Sequence, residues 1–304
     1  MVSFLPVATA SIHRSRHPPM KNAFLSAALL ATATTAASAD GFYWQHIDPD
    51  PRPFAFGAMF TSDTEFEGYG VSDVVEGFFE SNFIPIEDFL FGELELGVWA
   101  HAYGFVDNPN MKAVPHALLD ASFNAGYVLR FDNGWAWRLW ARPGVYSDPS
   151  APAFGCPAGL SFFFTATDEL SFEIGGTVRP GWDVPVIPNV GLKFRPSDVF
   201  ELELGCPRSH VTLFPDHIVS FFATAEWRNT TYMLDDDDEH MPDKLTMDDI
   251  LATAGVTLRL FGAIDLTGEF GTFLEREISA DVEKDKGVDL SKDSFVRVTV
   301  GGAF

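Results

Sequence analysis

Positively charged side chains recur in this sequence at places where they could attract negatively charged solutes. Arg142-Pro143-Gly144 is repeated as Arg179-Pro180-Gly181. Proline is tolerated at strand ends, so each triplet indicates an arginine beside the end of a strand. Rings of arginine or lysine set the anion selectivity of pores. Two strand terminators without any role in selectivity would explain the same repeat. The candidate selectivity residues are Arg138, Arg142, Arg179, Arg208, Lys193 and Glu201.

Other residue types in the chain could support hydrolysis or metal binding. Hydrolytic centres need a nucleophile, a base and an orienting acid, but no serine here lies in a local motif such as Gly-x-Ser-x-Gly. The acidic run 235–239 could gather Ca²⁺, yet it lacks the spacing of an EF-hand loop and indicates a solvated charge run. The sequence therefore predicts no catalytic residue, no metal and no cofactor. The histidines that an enzyme could use are His101, His210, His217 and His240.

The elements that would position these side chains are strands. Apolar residues alternate with polar or small ones from Leu119 to Phe131, which is the period of a strand with one apolar face. Asp132-Asn133-Gly134 then supplies a tight turn, and the alternation resumes in the return strand. Phe123 and Asn124 should therefore point to opposite faces of a sheet. Helical periodicity is almost absent from the chain.

The links between the predicted strands alternate between two lengths. Short turns fall at 132–134, 167–169, 196–198, 215–216 and 262–263, and longer links at 107–116, 147–154, 181–184, 229–247 and 275–293, with a brief one at Pro207-Arg208. This asymmetry is typical of transmembrane barrels. The fold prediction is all-β: a closed antiparallel up-and-down transmembrane β-barrel of 12 to 14 strands. The alternative is a soluble barrel or sandwich with the same residues in its core.

The domain prediction places the barrel in residues 89–304, where 12 strands can be counted. Residues 40–88 form an N-terminal segment, in which 54–62 and 71–83 could add a further pair of strands. The strands on either side of the turn 196–198 are predicted to pair, and their register places Lys193 opposite Glu201 as a cross-strand ion pair. The polar face of the strands carries nearly balanced charges, which could be a salt-bridged network or a polar pathway.

The first 39 residues have the layout of a leader with a secretory signal peptide. A positive start at Met20-Lys21 precedes the uncharged apolar run 23–36, and Ala37-Ser38-Ala39 supplies a small-residue cleavage site before Asp40. The mature chain is thus predicted to begin near Asp40. Export would permit a disulfide between Cys156 and Cys206, although the strand map places them on non-adjacent strands and leaves their pairing open.

Composition narrows the classes of partner. The formal net charge is −23, so an acidic surface should repel nucleic acid and anionic lipid headgroups. A hydrophobic content of 46% is too high for a disordered chain. No apolar stretch beyond residue 39 reaches the ~20 residues of a membrane helix. An exported aromatic-rich chain of this kind is either a soluble periplasmic β-protein or an outer-membrane barrel.

The last ten residues carry a resemblance. Phe295 to Phe304 alternates apolar residues and ends in an aromatic, and this segment resembles the C-terminal strand of Gram-negative outer-membrane β-barrels. One departure is Gly302, where a bulkier residue is more usual. The stretch 185–207 also looks like uncharacterised single-barrel families, which implies no activity. The resemblance implies residence in the outer membrane, contact with its lipids, and recognition of Phe304 by the barrel-assembly machinery.

Three functions remain after these considerations. The first is a passive channel or uptake pore for small polar solutes, which the inward glycines Gly126, Gly175 and Gly191 favour. The second is a structural or surface-interaction barrel with a plugged lumen, which the bulky inward residues Trp140 and Phe163 favour. The third is a rim enzyme, a lipid hydrolase or a protease. The solute and the oligomeric state cannot be derived from the residues.

Overall fold

The computed structural model describes residues 54–66, 70–106, 115–149, 152–234, 243–280, 287–289 and 292–302. Strands and turns account for these ranges. No helix long and apolar enough to cross a membrane occurs in the described part of the chain. The strand segments are β1 Phe54–Phe66, β2 Gly70–Phe89, β3 Gly92–Val106, β4 Ala117–Arg130, β5 Trp135–Ala141, β6 Gly144–Ser147, β7 Phe154–Gly155, β8 Ala158–Thr167, β9 Leu170–Val178, β10 Val186–Ser197, β11 Phe200–Cys206, β12 Arg208–Leu213, β13 Val219–Met233, β14 Lys244–Leu260, β15 Ile264–Ala280, β16 Gly287–Asp289 and β17 Ser294–Gly302.

The 17 segments form one sheet that closes on itself. Consecutive strands pair antiparallel, and β1 pairs with both β2 and β17, with Phe54 opposite Gly302. Three pairs of segments each make a single wall strand: β5 with β6, β7 with β8, and β16 with β17. The barrel therefore has 17 − 3 = 14 strands, which confirms the predicted closed antiparallel barrel at the upper end of the predicted count. The pair β1 and β2, left open by the sequence, completes it.

The two faces of the wall have opposite character. Phe123, Ile174 and Phe270 point outward and are 43%, 63% and 62% exposed, whereas polar residues such as Asn124 and Glu173 point inward and are buried. The predicted alternation is thus confirmed. Exposed apolar side chains surround the barrel, and a contiguous apolar surface of this extent is suited to lipid rather than to water.

Three strands extend further than the sequence indicated. β13 continues to Met233, β14 begins at Lys244 and β15 continues to Ala280, so the predicted loops 229–247 and 275–293 are too long. Charged residues made these segments resemble loops. One of these charges, Arg276, is instead buried and paired, with its Nε 3.3 Å from Asp249 Oδ1. A strand can carry such residues on its inner face when each charge has a partner.

The two strands that precede β13 are short. β11 has 7 residues and β12 has 6, against 15 in β13. β12 begins at Arg208, opposite Glu226, so its pairing with β13 extends no further toward the loop end. At the loop end, Met233 pairs in parallel with Ser147 of β6, which brings the long strands into contact past the short ones. The barrel is therefore narrower at its loop end than at the end with the short turns.

Candidate functional site in the barrel lumen

The lumen is closed at the loop end by an apolar cluster, here termed the loop-end seal. Its members are at most 5% exposed, and they come from β2, β3 and β4 on one side and from β13, β14 and β15 on the other. The rings of Tyr103 and Tyr232 meet edge to face, with centroids 6.2 Å apart. Since these two tyrosines belong to opposite walls, the cluster spans the lumen. The seal consists of Val74, Tyr103, Phe105, Leu118, Tyr232, Leu245, Met247 and Ile278.

A charged layer lies next to the seal on the side of the short turns. Arg228 Nη1 lies 3.0 Å from Glu76 Oε1, and Arg228 Nε lies 3.1 Å from Glu226 Oε1. His101 Nε2 is 2.8 Å from the same Glu76 oxygen. β2 and β13 are not neighbours in the sheet, so the bond between Glu76 and Arg228 crosses the lumen. Together with the seal, this layer fixes the two walls against each other.

The remaining part of the lumen is charged and reached by water. Lys193 Nζ lies 3.5 Å from Glu201 Oε2 and 3.4 Å from Glu203 Oε1, and these side chains are 12–15% exposed. Closer to the short turns, Arg130 pairs with Glu93 at 2.7 Å, with exposures of 44% and 27%. Exposure rises toward the turn end, which shows that the lumen opens on that side.

The predicted pair of Lys193 and Glu201 is in contact, but the predicted register is wrong. Glu203 is the residue opposite Lys193, and Glu201 lies diagonally. A register shift between Phe194 and Ser197 displaces the pairing. Irregular pairing of this kind adds a residue on one strand, which turn positions alone do not reveal.

Two candidate arginines form hydrogen bonds to residues of the barrel wall. Arg138 is 1% exposed, and its Nε donates to Glu95 Oε2 at 2.9 Å. Arg179 donates to the carbonyl and to Oδ1 of Asn229 and to the Val184 carbonyl. Beyond Glu226 the described part of β13 has no strand partner on this edge until Met233, so Arg179 supplies hydrogen bonds that a neighbouring strand would supply.

The other two candidate arginines lie apart from each other. Arg208 is partly exposed, and its Nη2 is 3.4 Å from His210 Nδ1. Arg142 is buried, and its guanidinium carbon lies 4.3 Å from the ring centroid of Trp99 and 5.4 Å from that of Trp140. The structure thus gives Arg142, Arg179 and Arg208 separate surroundings rather than one shared ring. A role of these residues in selectivity remains a prediction.

Inward glycines accommodate neighbouring side chains. A Cβ atom at Gly126 would collide with the Glu95 carboxylate, and one at Gly159 would collide with the Trp140 ring. Gly175 is similarly close to Ser161 and to the Leu160 carbonyl. The space beside Gly126 and Gly175 is therefore occupied by neighbouring side chains. Trp140 and Phe163 are buried inward residues, as predicted.

Some sequence-based predictions concern other parts of the chain. Cys156 and Cys206 are both exposed and are not joined in a disulfide. Within the described ranges, no group of three or more His, Cys, Asp or Glu residues is arranged to hold a metal ion. The leader 1–39, the acidic run 235–239, His240 and Phe304 lie outside the described residues.

The cross-lumen residues were missed by the sequence. Glu76, on β2, was not singled out because the consecutive aromatics Phe78 and Phe79 obscure the alternation of that strand. Only one feature of the sequence pointed to the tyrosines of the seal: they occupy positions of β3 and β13 that face inward by the alternation of each strand. Parity indicates the face of a residue but not its partner across a lumen.

A closed 14-stranded antiparallel wall, with lipid-suited residues outside and paired charges inside, defines the architecture. The chain is a β-barrel of the outer-membrane type. No protein-family model matches it, and no curated protein matches it. Among solved structures it resembles the NanC porin, with a TM-score of 0.41 and 12% identity over 83% of this chain and 100% of that one.

A second similar structure is a triple mutant of the porin from Rhodopseudomonas blastica. Its TM-score is 0.27 and its identity is 8%, over 83% of this chain and 99% of that chain. The assignment of the barrel rests on the strand pairing and on the two faces of the wall, rather than on these likenesses.

Proposed function

We propose that the chain is an outer-membrane channel for small polar solutes, shown here in a conformation that is closed at the loop end. The observation that carries this proposal is the charged inner wall, whose ion pairs become more exposed from the layer around Glu76 and Arg228 toward the pair of Arg130 and Glu93 at the turn end. Inward charges of both signs suit polar solutes, since they replace part of the hydration that a solute loses on entry. An apolar constriction next to them can gate a pore by excluding water.

The location in the outer membrane is part of the same proposal. It is supported by the apolar outer surface, by the signal-like leader ending at Ala39, and by the C-terminal segment that ends at Phe304. Membrane lipids and the barrel-assembly machinery are the partners that this location requires. Fractionation of cells checks it: the protein should be found with outer membranes and begin at Asp40. Recovery in the soluble periplasm, or an intact residue 20, would contradict the proposed location.

A structural barrel with a plugged lumen is the second candidate. The loop-end seal favours it, because eight buried apolar side chains pack together in the lumen around Tyr103 and Tyr232. A rim enzyme, the third interpretation, draws no specific support from the residues that the structure describes.

Planar-bilayer conductance of the refolded protein separates the two candidates. Discrete openings in salt solution, with a reversal potential that depends on the salt gradient, would support the channel. A mock preparation from cells without the protein controls for contaminating pores. If neither the wild-type protein nor a variant with an opened seal conducts ions, the result would instead support the plugged barrel.

A further inference from the structure

Arg142 is a buried cation that lies against two aromatic rings. It is 7% exposed, its guanidinium lies over the rings of Trp99 and Trp140, and its Nε has no hydrogen-bond partner among the described residues. The backbone around it is fixed, because Arg142 N donates to the Pro157 carbonyl and the Tyr146 hydroxyl donates to the Arg142 carbonyl. The main chain at Arg142 is thus held in place, while its Nε has no hydrogen bond within the described residues.

A further polar atom without a partner lies on the adjoining strand. The pairing of Ala125 with Ala141 and of Ser122 with Gly144 places Asn124 beside Arg142. Among the described residues, Asn124 Nδ2 has no hydrogen-bond partner, whereas the Ser122 hydroxyl faces the Asp120 carboxylate and the Tyr146 hydroxyl. Two donors of one inner-wall patch, Arg142 Nε and Asn124 Nδ2, are therefore unsatisfied together.

One acceptor belongs to the same patch. Asp120 Oδ2 accepts a hydrogen bond from Trp99 Nε1 at 3.0 Å, and the carboxylate also faces the Ser122 hydroxyl and the Arg142 guanidinium. Buried polar groups without partners, such as Arg142 Nε and Asn124 Nδ2, are rare in native structures and can indicate a bound molecule or water. The patch therefore presents a cation and the Asn124 amide beside a carboxylate.

We propose that the patch formed by Arg142, Asn124, Ser122 and Asp120 binds a small carboxylate that also carries a hydroxyl or ammonium group. The guanidinium fork matches a carboxylate with two parallel hydrogen bonds, and the amide of Asn124 adds a third donor. Asp120 Oδ1 accepts from the hydroxyl or ammonium group of the solute. The opposite charges of Arg142 and Asp120 nearly cancel, which favours a monoanion or a zwitterion over phosphate.

The patch lies on the turn side of the loop-end seal. On β3, Gly97 lies opposite Asn124 and Tyr103 belongs to the seal. The six-residue step from Gly97 to Tyr103 corresponds to roughly 20 Å along a strand. A solute that enters from the turn end therefore meets Arg142 before it meets the seal. This inference rests on the proposed channel function and names its substrate class.

Titration of tryptophan fluorescence tests the site in the refolded full-length protein, since Trp99 and Trp140 adjoin Arg142. Lactate and serine should give saturable changes. Propionate, which lacks the second donor, and inorganic phosphate should bind roughly tenfold more weakly or not at all. Arg142→Gln should weaken lactate binding by about tenfold or more. Arg130→Gln, which removes the same charge nearer the short turns, should leave it unchanged.

Asn124→Asp provides a second variant that keeps the side-chain volume and should also weaken lactate binding, because it places a carboxylate against the carboxylate of the solute. Circular dichroism and heat-modifiable migration verify that each variant is folded. Absence of saturation with lactate and serine, or equal affinity in folded Arg142→Gln, would overturn the site. Conductance without binding overturns only this site, whereas binding without conductance overturns only the channel.

Discussion

The carboxylate of Glu76 on β2 lies 3.0 Å from the guanidinium of Arg228 on β13, and the bond between them crosses the lumen. Both side chains are almost fully removed from water, with side-chain exposures of 3% and 11%. An ion pair in such a position ties together two walls that share no strand pairing. Removal of this ion pair should therefore lower the stability of the whole barrel and not only that of the two strands.

Single substitutions of this pair should be strongly destabilising. Breaking a buried ion pair by removing one partner costs about 3–5 kcal/mol, because the other charge stays buried without its partner. We expect Glu76→Gln and Arg228→Gln each to lower the free energy of unfolding by roughly 3 kcal/mol, and the double variant to lose less than the sum. Urea titrations in lipid vesicles measure these values.

The exposed pair Glu93 and Arg130 is the matched control for that double-mutant cycle. Because both residues are partly exposed, their coupling should stay below about 1 kcal/mol. Additive effects of Glu76→Gln and Arg228→Gln would contradict a trans-lumen bond.

Opening the seal should increase conductance. Tyr232 is fully buried against Tyr103, so Tyr232→Ala removes a ring at the narrowest apolar contact. We expect more frequent or larger openings in planar bilayers, since a widened constriction readmits water. Phe163→Ala, which deletes a buried inward ring on β8 outside the seal, serves as the control. An unchanged conductance in folded Tyr232→Ala, with the wild type conducting, would place the constriction elsewhere.

The wall of this barrel could be predicted from the sequence because a strand's faces depend only on parity. The alternation from Leu119 to Phe131, followed by Asp132-Asn133-Gly134, determines β4, its turn and its inward residues without any knowledge of the rest. The closed topology follows from the same information, repeated along the chain. Outward Phe123 and inward Asn124 are direct consequences.

The interior could not be predicted in the same way. Whether Glu76 reaches Arg228 depends on the cross-section of the barrel, which is set by strand lengths and by the point at Arg208 where the pairing of β12 with β13 begins. Arg276 made the end of β15 resemble a loop, because polarity alone does not reveal its partner Asp249 on the next strand. The partners of the candidate arginines depend on this cross-section too.

Arg179 should matter for stability more than an exposed arginine does. Its guanidinium satisfies the Asn229 carbonyl and Oδ1 at an edge of β13 that lacks a strand. Arg179→Gln should lower the free energy of unfolding by about 2–3 kcal/mol, because buried hydrogen bonds to a charged group are lost. Arg195→Gln, which removes a partly exposed ion pair with Glu201, should cost less than about 1 kcal/mol. Equal losses of unfolding free energy in the two variants would contradict the proposal that Arg179 stabilises this edge of β13.

Phe304 is the subject of an assembly prediction that rests on the sequence. If the terminal aromatic is part of the signal for barrel assembly, its deletion should sharply reduce the amount of folded protein in outer membranes. Deletion of 235–239, in a segment predicted to be a loop, should have little effect. Heat-modifiable migration of membrane fractions measures the folded amount. Equal yields from the two deletions would contradict the role assigned to Phe304.

Neighbouring residues of β17 test the two faces of the wall. Val298 points outward and is 45% exposed, whereas Thr299 points inward beside Gly57 and Thr267. A cation on the lipid face of a barrel costs about 2–4 kcal/mol at the bilayer midplane and little in a wet lumen. Val298→Arg should therefore destabilise the barrel in lipid vesicles far more than Thr299→Arg, while in detergent micelles the difference should shrink. If Thr299→Arg is the more damaging in vesicles, the outer face of β17 is not in contact with lipid.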